Sequence, residues 1–333
     1  MGVNGYNTRL RAESAQPKVG GGVLITILKN TETALETLDQ VIPNCWLNVI
    51  DPTTDEIEFI TRLGIPQDFI TYPLDIDERS RIEREDDGSL LIVVRIPYFQ
   101  GSKMDVPYTT LPLGIIMTDK YLVTVCRRQN EVTQDFASGR MTKLSTTKRN
   151  RFILRVLLNT ATKYLNYLRE INRQVDITED KLTASMRNNE LLELLKFQKS
   201  LVYFTTALKT NELTLVRLQR YPYFKLYPDD EDLMEDVITE NQQAIEMTNI
   251  SSSILSGMMD AFASIISNNL NVVMKFLASV TIVLSLPTIV GSFFGMNVPV
   301  PMTDYPYAFP ILIGISLFVS LVVVYLFIKR DWF

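Results

Sequence analysis

The chain has 333 residues, 46% of them apolar, and a mean hydropathy of +0.08, which is high for a soluble protein and implies that part of the surface meets lipid. It contains no histidine, which removes Ser-His-Asp and Cys-His catalysis, imidazole zinc sites and histidine pH switches. The net charge of −5, from 33 basic and 38 acidic residues, gives no electrostatic reason for a nucleic-acid partner.

Residues 1–20 mix Asn, Arg, Glu, Gln and Lys without an apolar block, so they read as a tail with no secretory segment, on the cytoplasmic side. Residues 21–130 read as an α/β domain. Strand-like runs occur at Val23 to Leu28, Trp46 to Ile50, Leu90 to Tyr98, Leu113 to Met117 and Tyr121 to Cys126, with helix-compatible stretches between them. Asp86-Asp87-Gly88 and Asp119-Lys120 look like hairpin connections, which predicts a mixed sheet with antiparallel pairs. The two cysteines, Cys45 and Cys126, lack any CxxC spacing and read as buried, reduced thiols. Neither GxGxxG nor GxxxxGK[ST] occurs, so nucleotide binding has no support.

Residues 131–228 carry helical spacing, and no Gly or Pro interrupts Lys148 to Tyr221, which predicts two long helices with a break near Val175 to Thr178. Residues 229–275 form a further helix that starts in an acidic run, Asp229 to Glu240, and meets no proline before Pro287. It leads into the uncharged stretch Phe276 to Met296, and Tyr307 to Ile328 is a second such stretch, each long enough to cross about 30 Å of hydrocarbon. The alternative, a buried hairpin of a soluble core, fits poorly with two adjacent uncharged segments of this length. Residues 276–297 and 307–328 are therefore read as transmembrane helices joined by an outer loop, 298–306, and followed by a basic tail, 329–333. Lys275, Lys329 and Arg330 flank the outer ends of the pair while the loop carries only Asp304, so both termini are expected in the cytoplasm.

Alternating steps of three and four residues from Asp236 land on Thr239, Gln243, Glu246, Ile250, Ser253, Gly257, Asp260, Ser264, Ser267, Asn271, Met274, Ala278, Thr281, Ser285, Thr288, Ser292 and Gly295. Nearly all are small or polar, and a 3.5-residue repeat keeps them on one seam. Close helix packing would use such residues. So would the wall of a water-filled pore, and Asn271 with Asp260 on the same line favours the pore, because rings of amides and carboxylates need water or ions. Asp236, Glu246 and Asp260 along that line suit a hydrated divalent cation with oxygen ligands.

The first span ends in Gly295-Met296-Asn297, preceded by Asn271-Val-Val-Met274-Lys275 and Pro287 and followed by a short loop, a second span and a basic tail. In this context the chain resembles the CorA family of divalent-cation transporters over about residues 20 to 333. The resemblance implies an α+β membrane protein assembled as a homopentameric funnel, with a cytoplasmic α/β domain, a long helical stalk and two C-terminal spans in the plasma (inner) membrane. It implies channel-type transport of Mg2+, with Co2+ and Ni2+ also passing, and gating by internal Mg2+ without an organic cofactor. Carried onto this sequence, Gly295, Met296 and Asn297 form the selectivity ring, and Asn271 is the inner polar ring. Met274 and Leu277 form a dry constriction, although the stepwise reading places Ala278 rather than Leu277 on the axis.

Departures from the family pattern are Phe294 where a tyrosine is usual, and Asp304 as the loop's acid. Asp236 stands on the stalk side of an expected regulatory metal site, but Thr71-Tyr72 falls where the partner acid belongs, leaving Asp75, Asp77 and Glu78 as substitutes. With Asp260, these complete the regulatory candidates. A zinc-transporting branch of the same superfamily is one alternative, against which the Val-Pro-Val-Pro loop counts. A membrane-tethered enzyme or signalling protein is another, but residues 20 to 230 show no catalytic constellation, so no enzyme activity is expected.

Overall fold

The computed structural model describes residues 25–30, 35–140, 145–185, 188–224, 227–296, 306–330 and 332. The chain forms two compact units, Met1–Leu182 with Asn189–Ser253, and Thr183–Asn188 with Ile254–Phe333.

The first unit is built on a seven-stranded sheet: β1 (Ile25–Asn30), β2 (Leu35–Leu38), β3 (Trp46–Ile50), β4 (Arg81–Arg84), β5 (Leu90–Phe99), β6 (Tyr108–Met117) and β7 (Leu122–Cys126), in the order β2-β1-β3-β7-β6-β5-β4. Every pairing is antiparallel except β3 with β7, as the predicted mixed sheet requires. Two turns proposed from sequence are hairpins: Glu85 to Ser89 joins β4 to β5 with Gly88 at φ +92°, and Thr118 to Tyr121 joins β6 to β7. β6 begins five residues before the predicted Leu113, because Tyr108 to Pro112 pair along the full length of β5.

Alternation along the strands divides the apolar side chains between two faces. Leu91, Val93, Ile116, Val123 and Val125 face Ile60 of α1 (Thr54–Arg62) and Phe69 and Ile70 of α2 (Gln67–Thr71). α1 starts on a reciprocal cap, in which the Thr53 hydroxyl accepts from the Glu56 N–H while Glu56 Oε2 accepts from the Thr53 N–H at 2.8 Å. Trp46, Ile92, Val94, Leu113 and Ile115 line the opposite face. They pack with Phe136 of α3 (Glu131–Ala137), Phe152 and Leu157 of α4 (Arg149–Ser185), Leu215 of α5 (Asn188–Gln219) and Val237 of α6 (Pro228–Phe294). Cys45 and Cys126 are buried and free, and burial pushes the Cys126 thiol up to about 11.

A 3-10 turn, Tyr72–Leu74, lies so close to β6 that a Cβ on Gly114 would sit 2.2 Å from Pro73 Cγ. The proline ring cannot swing aside as a flexible side chain could. Gly114→Ala should therefore destabilise the first unit by about 2–3 kcal/mol, read as a lowered denaturation midpoint. An unchanged midpoint would mean that the turn lifts off without cost.

α4 corrects the expected break near Val175 to Thr178. Val175 and Thr178 are buried, Thr178 Oγ1 donates to the Gln174 carbonyl at 2.8 Å, and the helix runs on to Ser185 before α5 resumes at Asn188. Packing on this face outweighs the low helix preference of the β-branched residues.

In the second unit, Ala308–Lys329 forms α7, and the apolar part of α6 reaches Phe294. Only 6% of the most apolar stretch of each helix is buried within the chain, which counts against the buried-hairpin reading.

Candidate functional site: a polar seam on one long helix

α6 has 67 residues and carries Pro287 inside it. Within the first unit its shielded side chains are Leu233, Met234, Val237, Asn241, Ala244, Thr248 and Ser251, at the three-four spacing of one helix face. The seam lies roughly opposite, at about 100° per residue. From Asp236 through Asp260 every seam residue is exposed, and so are Ser264, Ser267, Asn271, Met274, Ala278, Thr281, Thr288, Ser292 and Gly295; Ser285 alone is half-buried. Within the first unit the seam predicted from sequence lies on the face that this chain leaves uncovered, whereas from Ser267 to Ala278 every position of α6 is exposed.

In the apolar stretch the shielded positions are Ser279, Val280, Val283, Ser285, Leu286 and Val290. Measured from the row Ser279, Val283, Leu286 and Val290, at about 100° per residue, the opposite pole passes within about 30° of Met274, Leu277, Thr281 and Thr288 but about 70° from Ala278. Met274, 59% exposed, and Leu277, 54% exposed, both lie near that pole, while Asn271 stands about 90° from it by the same measure.

The hydroxyls beyond Leu277 are oriented by the helix itself. Thr281 Oγ1 donates to the Leu277 carbonyl at 2.8 Å, Ser285 Oγ to Ile282 at 2.8 Å and Thr288 Oγ1 to Leu284 at 3.5 Å. Pro287 supplies no N–H to the turn before it, and neighbouring hydroxyls are what tolerate such a gap in a membrane helix. With their protons committed, these oxygens offer lone pairs, and the water shell of a hydrated cation supplies the matching donors. Gly295 and Met296 follow as an exposed turn, whereas Asn297 and Asp304 lie outside the described residues.

The regulatory candidates are not gathered in one place. Asp236 lines an open groove of the first unit with Leu158, Thr162, Thr239 and Glu240, while Asp260 is 24 positions further along the sequence, in the second unit. Asp75, Asp77 and Glu78 share one loop, but its groups are partly committed: Asp75 Oδ1 accepts from the Asp77 N–H at 3.0 Å, and Glu78 Oε1 pairs with Arg81 at 3.2 Å. Among the described residues no group of three or more acids or thiols stands ready to hold a metal within one chain.

One member of the acidic run is set apart from its neighbours. Asp230 is buried, 2% exposed, and Arg151 Nε of α4 reaches its Oδ1 at 2.6 Å. It cannot join a solvent-facing ring of charge, whereas Glu231, Asp232, Glu235 and Asp236 remain exposed.

Fold and seam together define a two-span membrane protein that carries a large mixed α/β unit. The sequence pattern of the CorA-like Mg2+ transporter protein family matches residues 43–330, and the chain belongs to that family. It is 28% identical over 298 residues to the cobalt/magnesium transport protein CorA of Methanocaldococcus jannaschii, covering 86% of this chain and 90% of that protein. The complete structure of the CorA magnesium transporter from Methanocaldococcus jannaschii superposes with a TM-score of 0.80 at 24% identity, over 94% of this chain and 99% of that one. The cytoplasmic domain of ZntB from Vibrio parahaemolyticus shares the fold more loosely, with a TM-score of 0.56 at 12% identity over 74% of this chain and 98% of that one.

Proposed function

We propose that this protein conducts divalent metal cations, with Mg2+ as the principal substrate and Co2+ or Ni2+ as further ones, through a pore made by five copies of α6 in the plasma (inner) membrane, both termini being cytoplasmic. The observation that carries the reading is the uncovered seam, which stays small and polar through a stretch that is otherwise apolar. Family membership and the named activity of the Methanocaldococcus jannaschii relative support the choice of ion. A hydrated Mg2+ gives up its waters reluctantly, so a wall of acceptor oxygens that holds those waters suits it better than a cage that strips them. Asn297, with Gly295 and Met296, forms the outer ring in this reading, and Mg2+ flux unaffected by Asn297→Ala would remove it from that role.

Labelling separates a pore from a packing seam. The native thiols should be silent, because both are buried and burial raises the pKa of each. Single cysteines at Thr281 and Thr288 should then react with a water-soluble thiol reagent in membranes, while cysteines at Ile282 and Ile289 should not. Equal reaction at all four positions would assign the seam to helix packing.

Gating follows from charge. Five stalks bring together the exposed acids near Asp236 and, on the seam, Asp260, and these repel one another unless cations occupy the space between them. Internal Mg2+ binds there, favours the closed state and shuts the band at Met274 and Leu277; depletion releases it. Protection of α6 from protease should rise with Mg2+ in the wild type and be lost in the Asp236→Ala, Asp260→Ala double variant. Protection that survives both substitutions would place the sensing ions elsewhere.

A further inference from the structure

The end of α7 is closed by a fold-back turn. The helix ends at Lys329 with Arg330 as its C-cap, and the Trp332 backbone N–H returns to the Phe327 carbonyl at 3.0 Å. The Trp332 ring stacks on the Phe327 ring, centroids 5.2 Å apart and planes 10° from parallel. A bond from two residues past the cap to the third residue before it, with an apolar contact between the same two residues, is the closure that lets a chain double back over its own helix. The indole is thereby drawn back level with Phe327, on the apolar side of the basic pair. Lys329 and Arg330 are exposed, and Trp332 keeps 36% of its surface open.

Depth follows from length. The 22 residues of α7 rise about 33 Å, close to the hydrocarbon thickness of a bilayer, so a span of this length leaves little slack. Lys329 and Arg330 then fall among the headgroup phosphates, and the indole falls just beneath them, at the glycerol level where amphipathic rings concentrate. Tyr307, 64% exposed, stands at the other end of the same helix as its counterpart.

From this juxtaposition we propose that the last turn of α7 is a binding site for the headgroup of an anionic phospholipid. Lys329 and Arg330 hold the phosphodiester, and the Trp332 indole packs on the glycerol end of the acyl chains and fixes the depth. A lipid satisfies both halves of the site, whereas free phosphate has nothing to offer the indole. Asp331 lies between the basic pair and Trp332 in sequence, which leaves the tetrapeptide at a net charge of +1. The expected preference for an anionic over a zwitterionic lipid is accordingly modest, about fivefold.

The proposal rests on the membrane-spanning reading of α7, and one measurement separates the two. The chain has two tryptophans, and Trp46 is wholly buried with its indole N–H held by Thr124 at 2.8 Å, so quenching by bromine-labelled acyl chains reports Trp332. With the full-length protein in vesicles, brominated phosphatidylglycerol should quench about five times more effectively, mole for mole, than brominated phosphatidylcholine. The Lys329→Gln, Arg330→Gln double variant, left with Asp331 and a net charge of −1, should lose the preference for phosphatidylglycerol and lean toward phosphatidylcholine while both still quench, Trp332→Phe should abolish the quenched component, and excess inorganic phosphate at fixed ionic strength should change nothing. Quenching by neither lipid would overturn the spanning reading and the site with it. Equal quenching in the wild type, a preference that survives the double variant, or competition by inorganic phosphate would overturn the headgroup site alone.

Discussion

Mg2+ flux through an Asn271→Leu variant reconstituted in vesicles should fall at least tenfold, with the size of the detergent-solubilised assembly unchanged. Asn271 is the last polar side chain of the seam before the band formed by Met274 and Leu277, and all three are exposed on α6. In the proposed pore it is where the ion's water shell has its last protein partner before the dry segment. Leucine there lengthens that segment by about one helical turn, about 5 Å, and each added 1.4 kcal/mol of barrier costs a factor of ten in rate. Asn271→Ser, which keeps a polar group of smaller size, should retain most of the flux. If leucine conducts as well as asparagine, the entrance lies off Asn271 and the seam must be rotated.

The second large effect is on stability. Arg151→Met should lower the unfolding free energy of the first unit by about 3–5 kcal/mol, because it leaves the Asp230 carboxylate buried without its guanidinium. The pair joins α4 to the first turn of α6. Asp230→Asn in the same background should recover part of the loss, since a neutral amide costs less to bury than an unpaired charge. Denaturant midpoints of the two variants and the wild type give the comparison. A loss below about 1 kcal/mol would mean that water reaches Asp230 and that the pair acts as an exposed one.

The seam could be read before any coordinates because it is a pattern on a single helix, where a fixed repeat converts sequence position into direction. Trp46 to Ile50 was legible as a strand for the same reason: one short run carries its own apolar and β-branched signal. β2 and β4 were not. Leu-Glu-Thr-Leu and Arg-Ile-Glu-Arg are short and carry one and three charged residues of four, and they become strands because β1 and β5 offer them backbone partners. The α4–α5 break was misplaced because local helix preference is low at Val175 to Thr178, and it is the burial of Val175 and Thr178, which no local signal reports, that carries the helix through. Asp230 was out of reach altogether. Among seven acids within twelve residues nothing local distinguishes the one whose partner, Arg151, lies 79 positions away.

The hydroxyls of Thr281, Ser285 and Thr288 point their protons at backbone carbonyls of their own helix. A chloride ion, or any other anion, needs donors along its route and would meet only lone pairs over this length. The proposed pore, lined in this way, would discriminate by the sign of the ion although no formal charge stands in the sequence between Lys275 and Gly295, and it would do so through the direction of a few hydrogen bonds that the helix makes in any case.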